Sequence, residues 1–516
     1  MIQRIELPER YNLVDHFVDR HLREGRGEKT AIVSDAGTLT YRQVAEQVNR
    51  VGNGLRQLGV QEGQRVLLLL PDSPEFVAAY FGAIKIGAVA VPANTTLRPA
   101  DYAYFLDESS ARALIVHASL YPQIEPVLAG RRALRHIIVG DERWNEWLES
   151  KSSDLEPANT SKDDAAFWLW TSGTTGTPRA AVHLQHDWVH CCEHYARGVL
   201  GIGPEDITFS SSKLFHAYGL GSGLMFPFHA GAATVLYSGR PQAKTILQRV
   251  HDAKPSLFFS VPTLYAAMLQ ETGVYDLSSV RLAVSAAEPL PAEIFRRWKE
   301  RFGVEILDGI GSTEVLHIYL SARAGKVKPG STGQPVPGYR IRIVDHAGQD
   351  VPHGVIGDLL VSGESTAPCY WNRLELSAER MQGQWFHSGD KYSVDEDGYY
   401  WYAGRSDDMF RVSGQWISPI EVESALLEHP GVLETAVVPY LESNGLHSTK
   451  AFVVVKDGVV ESPELVDELQ AFVKQRITPY KYPRRIQFLS ELPKSATGKI
   501  LRYKLRESGG PAESRP

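Results

Sequence analysis

The chain has 516 residues, more than a single hydrophobic core accommodates, so it must divide into at least two domains. Its apolar share of 43% and charged share of 22% are those of an ordinary globular protein. A formal net charge of -7 argues against a general binder of nucleic acid or of anionic membranes. The opening Met1-Ile-Gln-Arg-Ile-Glu6 lacks the apolar core of a secretory signal. The longest purely apolar runs, such as Val66-Leu-Leu-Leu-Leu70, are strand length and too short for a bilayer. Cys191, Cys192 and Cys369 cannot build a disulfide framework, and a reducing cytoplasm is the expected compartment.

Val44, Val48, Val51, Leu55 and Leu58 recur at steps of four and three, which predicts one helical stripe closed by Gly59. A strand over 66–70, a helix over 74–86 and a strand over 88–91 follow, and 101–106 with 113–116 repeat the alternation. Ala165-Ala-Phe-Trp-Leu-Trp170 reads as a buried strand, its tryptophans as core. The pattern resumes with strand 256–260, helix 263–269, strand 281–285, helix 291–301 and strand 304–307. Such alternation predicts parallel sheets with right-handed crossovers. Ligands collect at the carboxyl ends of parallel strands, which singles out the loops 171–179, 285–289 and 308–314. From Ser331 the texture changes: Tyr339-Arg-Ile-Arg-Ile-Val344 and Asp358-Leu-Leu-Val-Ser362 predict a small antiparallel barrel over roughly 331–400. The segments 399–402 and 409–412 read as a hairpin around Gly404-Arg-Ser-Asp-Asp408. A compact α+β segment closes the chain, with helix 419–428, strands 434–438 and 449–455, and helix 463–477. The boundary is placed at Asp407, giving units 1–406 and 407–508, with 509–516 expected to be a disordered tail.

The most telling stretch is Thr171-Ser-Gly-Thr-Thr-Gly-Thr-Pro-Arg179. Thr171, Ser172, Thr174 and Thr175 supply hydroxyls, Gly173 and Gly176 allow close backbone approach, and Arg179 adds a planar cation. That is the chemistry a row of phosphate oxygens needs. The plain alternative is a polar surface turn. It is no Walker loop, because no Lys-Ser or Lys-Thr follows the second glycine; Ala496-Thr-Gly-Lys499 fails the same test, since Ile500 follows the lysine. Gly219-Leu-Gly-Ser-Gly223 misplaces the third glycine of a dinucleotide fingerprint.

With Gly309-Ile-Gly-Ser-Thr-Glu314, His387-Ser-Gly-Asp390, Gly404-Arg-Ser-Asp-Asp408 and Pro493-Lys-Ser-Ala-Thr-Gly-Lys499, this loop resembles the adenylate-forming superfamily of acyl- and aryl-CoA synthetases, carrier-loading adenylation domains and beetle luciferases. The motifs stand in the family's order and cover most of the chain. Lys213-Leu-Phe-His-Ala-Tyr-Gly-Leu-Gly221 and Ser312-Thr-Glu-Val-Leu-His-Ile-Tyr319 look most like benzoate-CoA ligases. The resemblance implies an α/β fold: a large domain of two parallel-type sheets with a small barrel, and a small mobile α+β lid.

It also implies an acid–thiol ligase that uses ATP, Mg²⁺ and CoA. By position, the glycine-rich loop would hold the β- and γ-phosphates, with Arg179 where the family usually has lysine. Ser285, Ala286, Ala287 and Glu288 would embrace the adenine with Asp308 and Gly309, and Ile310, Gly311 and Ser312 would bind the nucleotide beside them. Thr313 would contact the α-phosphate and Glu314 would ligate Mg²⁺. Asp390 would take the ribose hydroxyls, with Tyr402 packed nearby and Arg405 reaching ribose or phosphate. Lys499 would bridge the attacking carboxylate and the α-phosphate. Asp407 would be the hinge, and Ser413 and Gly414 would line the pantetheine tunnel.

For the acid, the resemblance outlines an aromatic slot from His216, Ala217, Tyr218, Gly219, His317 and Ile318. Benzoate ligases mostly carry an aromatic residue where His216 stands. A histidine there would hydrogen-bond a ring substituent, which favours amino- or hydroxybenzoates such as anthranilate; the alternative is a purely structural histidine. Loading of a carrier protein in place of CoA is the alternative function. A non-catalytic nucleotide binder is disfavoured by the intact Glu314, Asp390, Arg405 and Lys499. His183, His186, His190, Cys191, Cys192 and His194 look metal-like, but His186, His190 and His194 fall at i, i+4, i+8 and read more simply as a helix face. The oligomeric state is left open, a homodimer among the options.

Overall fold

The computed structural model of the chain describes residues 5–140, 143–172, 178–405, 409–412, 415–442, 447–494 and 500–507. One sheet has seven strands in the order Cys369–Tyr370, Pro178–Leu184, Ala165–Ser172, Val89–Pro92, Arg65–Leu69, Ala113–His117 and His136–Gly140. The second has nine, in the order Gln334–Pro335, Ile318–Ser321, Ile306–Gly311, Leu282–Ser285, Leu257–Ser260, Ile207–Ser210, Ala233–Val235, Thr30–Ser34 and Gly37–Thr40. Both are parallel in their middles; the seven-stranded sheet is antiparallel at one edge and the nine-stranded sheet at both. Pro178–Leu184 runs against Ala165–Ser172, and Ile318–Ser321 runs against Ile306–Gly311. The phosphate-loop motif and the Thr313-Glu314 motif therefore both sit where a parallel run turns back on itself.

The helix expected from the Val44–Leu58 stripe forms, whereas the helices Arg143–Glu149 and Ala243–Ala253 fall outside the expected elements. Tyr41–Gln57 begins at a capping box of Thr40 and Gln43 and stops before Gly59, whose φ of 75° is cheap for glycine alone. It buries Val44, Val48, Val51 and Leu55, each worth about 2 kcal/mol. It packs closely on Pro74–Lys85 because Gly82 leaves room: a Cβ there would lie 2.9 Å from the Val51 side chain. Lys85, in this core, is neutralised by Asp19 at 2.7 Å and donates to the Asn49 amide oxygen at 2.6 Å, as a buried charge requires.

The barrel-like region is an antiparallel half-barrel. Arg340–Val344, Gly357–Ser362, Trp385–Val394 and Met381–Gln382 follow in order, and Tyr400–Arg405 pairs with Trp385–Val394. Among the described residues, the segments 399–402 and 409–412 do not pair as the expected hairpin. Tyr400–Arg405 takes Trp385–Val394 as its partner, whereas Phe410–Val412 pairs with Gln415–Ile417. The physical reason is core membership. Tyr400 and Tyr402 pack on the large core, whereas Phe410 and Val412 join Ile417, Val422, Leu426, Val437 and Leu469 in a separate one.

That second core lies between the helices Pro419–Leu427 and Pro463–Arg476 and the strands Val432–Leu441, His447–Val455 and Arg485–Phe488. Both helices start on serine caps, Ser418 and Ser462, followed by proline. Among the described residues, no helix is long and apolar enough to cross a membrane.

Candidate active site

The turn Thr313–Val315 is the most constrained piece of the site. Ser312 Oγ accepts the Val315 N–H at 3.2 Å. Gly311 cannot carry a side chain, since a Cβ would lie 2.5 Å from the His317 carbonyl oxygen. Three residues outside any motif clamp the turn. His183 donates from Nε2 to the Thr313 carbonyl at 2.8 Å, while its Nδ1 lies 2.7 Å from Asp187 Oδ2, and neither side chain is exposed. Ser365 Oγ donates to the Val315 carbonyl at 2.8 Å. Tyr370 donates its hydroxyl to Glu314 Oε1 at 2.6 Å, and its phenol is pushed well up by burial, with the Glu314 carboxylate adding to the effect.

Thr171 stands opposite Arg179 at the end of the phosphate hairpin. The Arg179 guanidinium lies 5.1 Å from the centre of the Tyr370 ring, within reach of a cation–π contact. Gly173, Thr174, Thr175 and Gly176 lie outside the described residues.

The residues expected to meet the nucleotide lie at strand ends. Ser285 closes Leu282–Ser285 and Asp308 stands opposite it in the neighbouring strand. Ser285 Oγ and Asp308 Oδ1 are buried, and among the described residues neither has a hydrogen-bond partner. Burial pushes the Asp308 carboxyl well up, although the backbone N–H groups of Leu290 and Gly309 act the other way. Ala287 holds a φ of 76°, strained for a residue with a Cβ. Asp390 and Arg405 face each other in register, with Oδ1 and Nη1 at 3.2 Å, and Arg405 also donates to the Ser388 carbonyl. Tyr402 packs edge-on against Tyr392 at 5.3 Å. Tyr319, which ends the Ser312–Tyr319 motif without an expected role, is fully buried, and its phenol is pushed well up by burial, with Asp390 and Glu314 adding to the effect.

Among the residues expected to line the acyl slot, the Tyr218 hydroxyl donates to the carbonyls of Ser260 and Val284 at 3.1 and 3.0 Å. His317 Nε2 donates to the Tyr218 carbonyl at 3.2 Å and its ring packs on Phe226 at 4.4 Å. Ile318 lies under Gly309, where a Cβ would meet it at 2.9 Å. Ala217 begins a one-turn helix whose Gly219 must stay bare, because a Cβ would sit 2.2 Å from the Lys213 carbonyl oxygen. His216 precedes it, half-buried against Phe215, and its buried Nε2 has no partner among the described residues. Burial alone lowers its pKa to about 4, so the ring is neutral at pH 7.

Lys499, Asp407, Ser413 and Gly414 lie outside the described residues. Ile500 is described, and its backbone N–H donates to Glu288 Oε1 at 3.3 Å. Among the described residues no group of three His, Cys, Asp or Glu could hold a metal ion. His186 Nδ1 faces the Lys162 carbonyl at 2.9 Å and His190 pairs with Glu364 at 3.2 Å. The Glu314 carboxylate, held by the Tyr370 hydroxyl through Oε1, is the kind of oxygen donor that a magnesium ion would take.

A fold of two parallel sheets with a half-barrel, and a hairpin of Ala165–Ser172 and Pro178–Leu184 bonded to the Thr313 turn through His183, define an AMP-binding enzyme. The AMP-binding enzyme model matches residues 18–371, and the AMP-binding enzyme C-terminal domain model matches 421–499. Benzoate–CoA ligase of Thauera aromatica is 48% identical over 98% of this chain and 97% of its own. The crystal structure of an anthranilate CoA ligase in complex with anthranoyl-AMP superimposes with a TM-score of 0.95 at 43% identity, covering 98% of both chains. A benzoate CoA ligase from Burkholderia xenovorans gives 0.91 at 44% identity, covering 96% of this chain and 100% of that one. The chain belongs to the AMP-binding enzyme family and, within it, to the AMP-forming aryl–CoA ligases.

Proposed function

We propose that the chain joins a benzoate-type acid to CoA in two half-reactions at one site. In the first, a carboxylate oxygen of the acid attacks the α-phosphorus of ATP, pyrophosphate leaves and acyl-AMP forms. In the second, the CoA thiol attacks the acyl carbon, AMP leaves and the thiol proton is lost. Charge that develops on the phosphoryl oxygens must be met by donors and cations already in place.

The glycine-rich loop and Arg179 take the β- and γ-phosphates. Ser285, Ala286, Ala287 and Glu288, with Asp308, Gly309, Ile310, Gly311 and Ser312, enclose the adenosine. Asp390 holds the ribose, beside Tyr402. Thr313 and Arg405 meet the α-phosphate, and Lys499 bridges it to the acid. Glu314 would hold Mg²⁺, which when bound screens phosphate charge. The units 1–406 and 407–508 swing about Asp407 between the half-reactions, and Ser413 and Gly414 border the pantetheine path. A cytoplasmic setting suits a chain without disulfide pairing.

The Ile500–Glu288 bond carries this reading. The chain touches the adenine motif one residue after Lys499, where the adenylating pose needs the lysine. The buried, unpartnered Nε2 of His216 favours an amino- or hydroxybenzoate over plain benzoate. The test is a thioester screen with free CoA over benzoate, 2-aminobenzoate, hydroxybenzoates, cinnamates and short fatty acids. A substituted benzoate should give the highest kcat/KM. Acyl-dependent ATP–pyrophosphate exchange without any CoA thioester, but with acylation of a carrier protein, would instead assign carrier loading.

A further inference from the structure

We propose that Tyr370 is a positioning residue for Glu314, tying this carboxylate to the cation of the phosphate hairpin. The strand Cys369–Tyr370 runs beside Pro178–Leu184, with Tyr370 opposite Ala181. Arg179, two residues before Ala181, lies on the same face of that strand. One ring then serves two partners. Its face lies under the Arg179 guanidinium at 5.1 Å, and its hydroxyl donates to Glu314 Oε1 at 2.6 Å. A bond this short is what an ionised acceptor gives. Ala367, three residues earlier, donates its N–H to the Glu314 carbonyl at 2.7 Å, so the same segment fixes both the backbone and the side chain of the glutamate.

Among the described residues Oε1 is the carboxylate oxygen with a protein partner, which leaves Oε2 for a hard cation. A planar guanidinium stacks on a phenol as an ammonium does not. This gives arginine a use at a position where a lysine would act as a point charge. The inference rests on the reading of Glu314 as a Mg²⁺ ligand. Partners that orient a ligating carboxylate are worth about 10- to 100-fold in metal affinity.

Tyr370→Phe keeps the ring under Arg179 and removes the hydroxyl alone. ATP binding is titrated calorimetrically with and without Mg²⁺ for the unmodified chain, Tyr370→Phe and Glu314→Gln. Mg²⁺ should tighten ATP binding by the unmodified chain, and Glu314→Gln should lose that gain. Tyr370→Phe should lose about tenfold of it. The Mg²⁺ concentration for half-maximal pyrophosphate exchange should rise by a similar factor, with thioester formation from supplied acyl-adenylate unchanged. If Tyr370→Phe keeps the full Mg²⁺ dependence while Glu314→Gln loses it, Tyr370 has no positioning role. If Glu314→Gln behaves as the unmodified chain does, the metal reading fails and this proposal falls with it.

Discussion

His216 shows how much one buried atom decides. Its neutral ring leaves Nε2 without a partner among the described residues, and an unmet polar atom costs about 1–3 kcal/mol. A ring substituent that meets it recovers that energy. His216→Phe should therefore shift the ratio of kcat/KM values from a substituted benzoate toward benzoate by about tenfold to a hundredfold. Paired measurements on benzoate and 2-aminobenzoate check this, and an unchanged ranking removes His216 from the pocket. The sequence shows such a residue only as a departure from an aromatic position. It does not show Tyr370 as a site residue, and it shows His183 only in a metal-like cluster and Tyr319 only as the end of a motif, because each acts through a contact made across the fold. Tyr370 meets Glu314 over 56 positions and His183 meets Thr313 over 130.

At the scale of elements, the loops that hold the site depend on backbone space. Gly219→Ala would drive a methyl into the Lys213 carbonyl at 2.2 Å. It should cost about 2–3 kcal/mol, read as a lower urea midpoint at unchanged m; an unshifted midpoint would mean the turn relaxes freely. Asp407→Pro should fix the proposed hinge. Thioester formation from supplied acyl-adenylate should fall about tenfold or more while pyrophosphate exchange persists, and equal rates would exclude a hinge at Asp407. Strands and helices were legible because burial imposes their period, as the stripe from Val44 to Leu55 shows. The expected hairpin at 399–412 failed because period alone does not name a strand's partner. Core membership assigned Tyr400 to one sheet and Phe410 to another.

At the scale of the molecule, buried histidines set the acid limit. Burial lowers His21 and His216 to about 4, His317 to about 3 and His16 to about 2, the last with help from Arg20. These groups bind a proton more readily when unfolded, so their share of stability is complete above pH 6.5 and is lost as the pH falls below it. Each costs about 1.4 kcal/mol by pH 5.5. Asp19, Asp72 and Asp308, raised by burial, offset part of this as they take up protons. The urea midpoint should fall between pH 7 and pH 5.5, and equal midpoints would contradict the burial of these rings.

The central claim is that one lysine serves the first half-reaction and withdraws for the second. Both half-reactions of Lys499→Ala measure it directly: acid-dependent ATP–pyrophosphate exchange, and thioester formation from supplied acyl-adenylate and CoA. The account predicts exchange reduced by about 10²- to 10³-fold, with thioester formation close to that of the unmodified chain. Equal loss of both, or full retention of exchange, would contradict it.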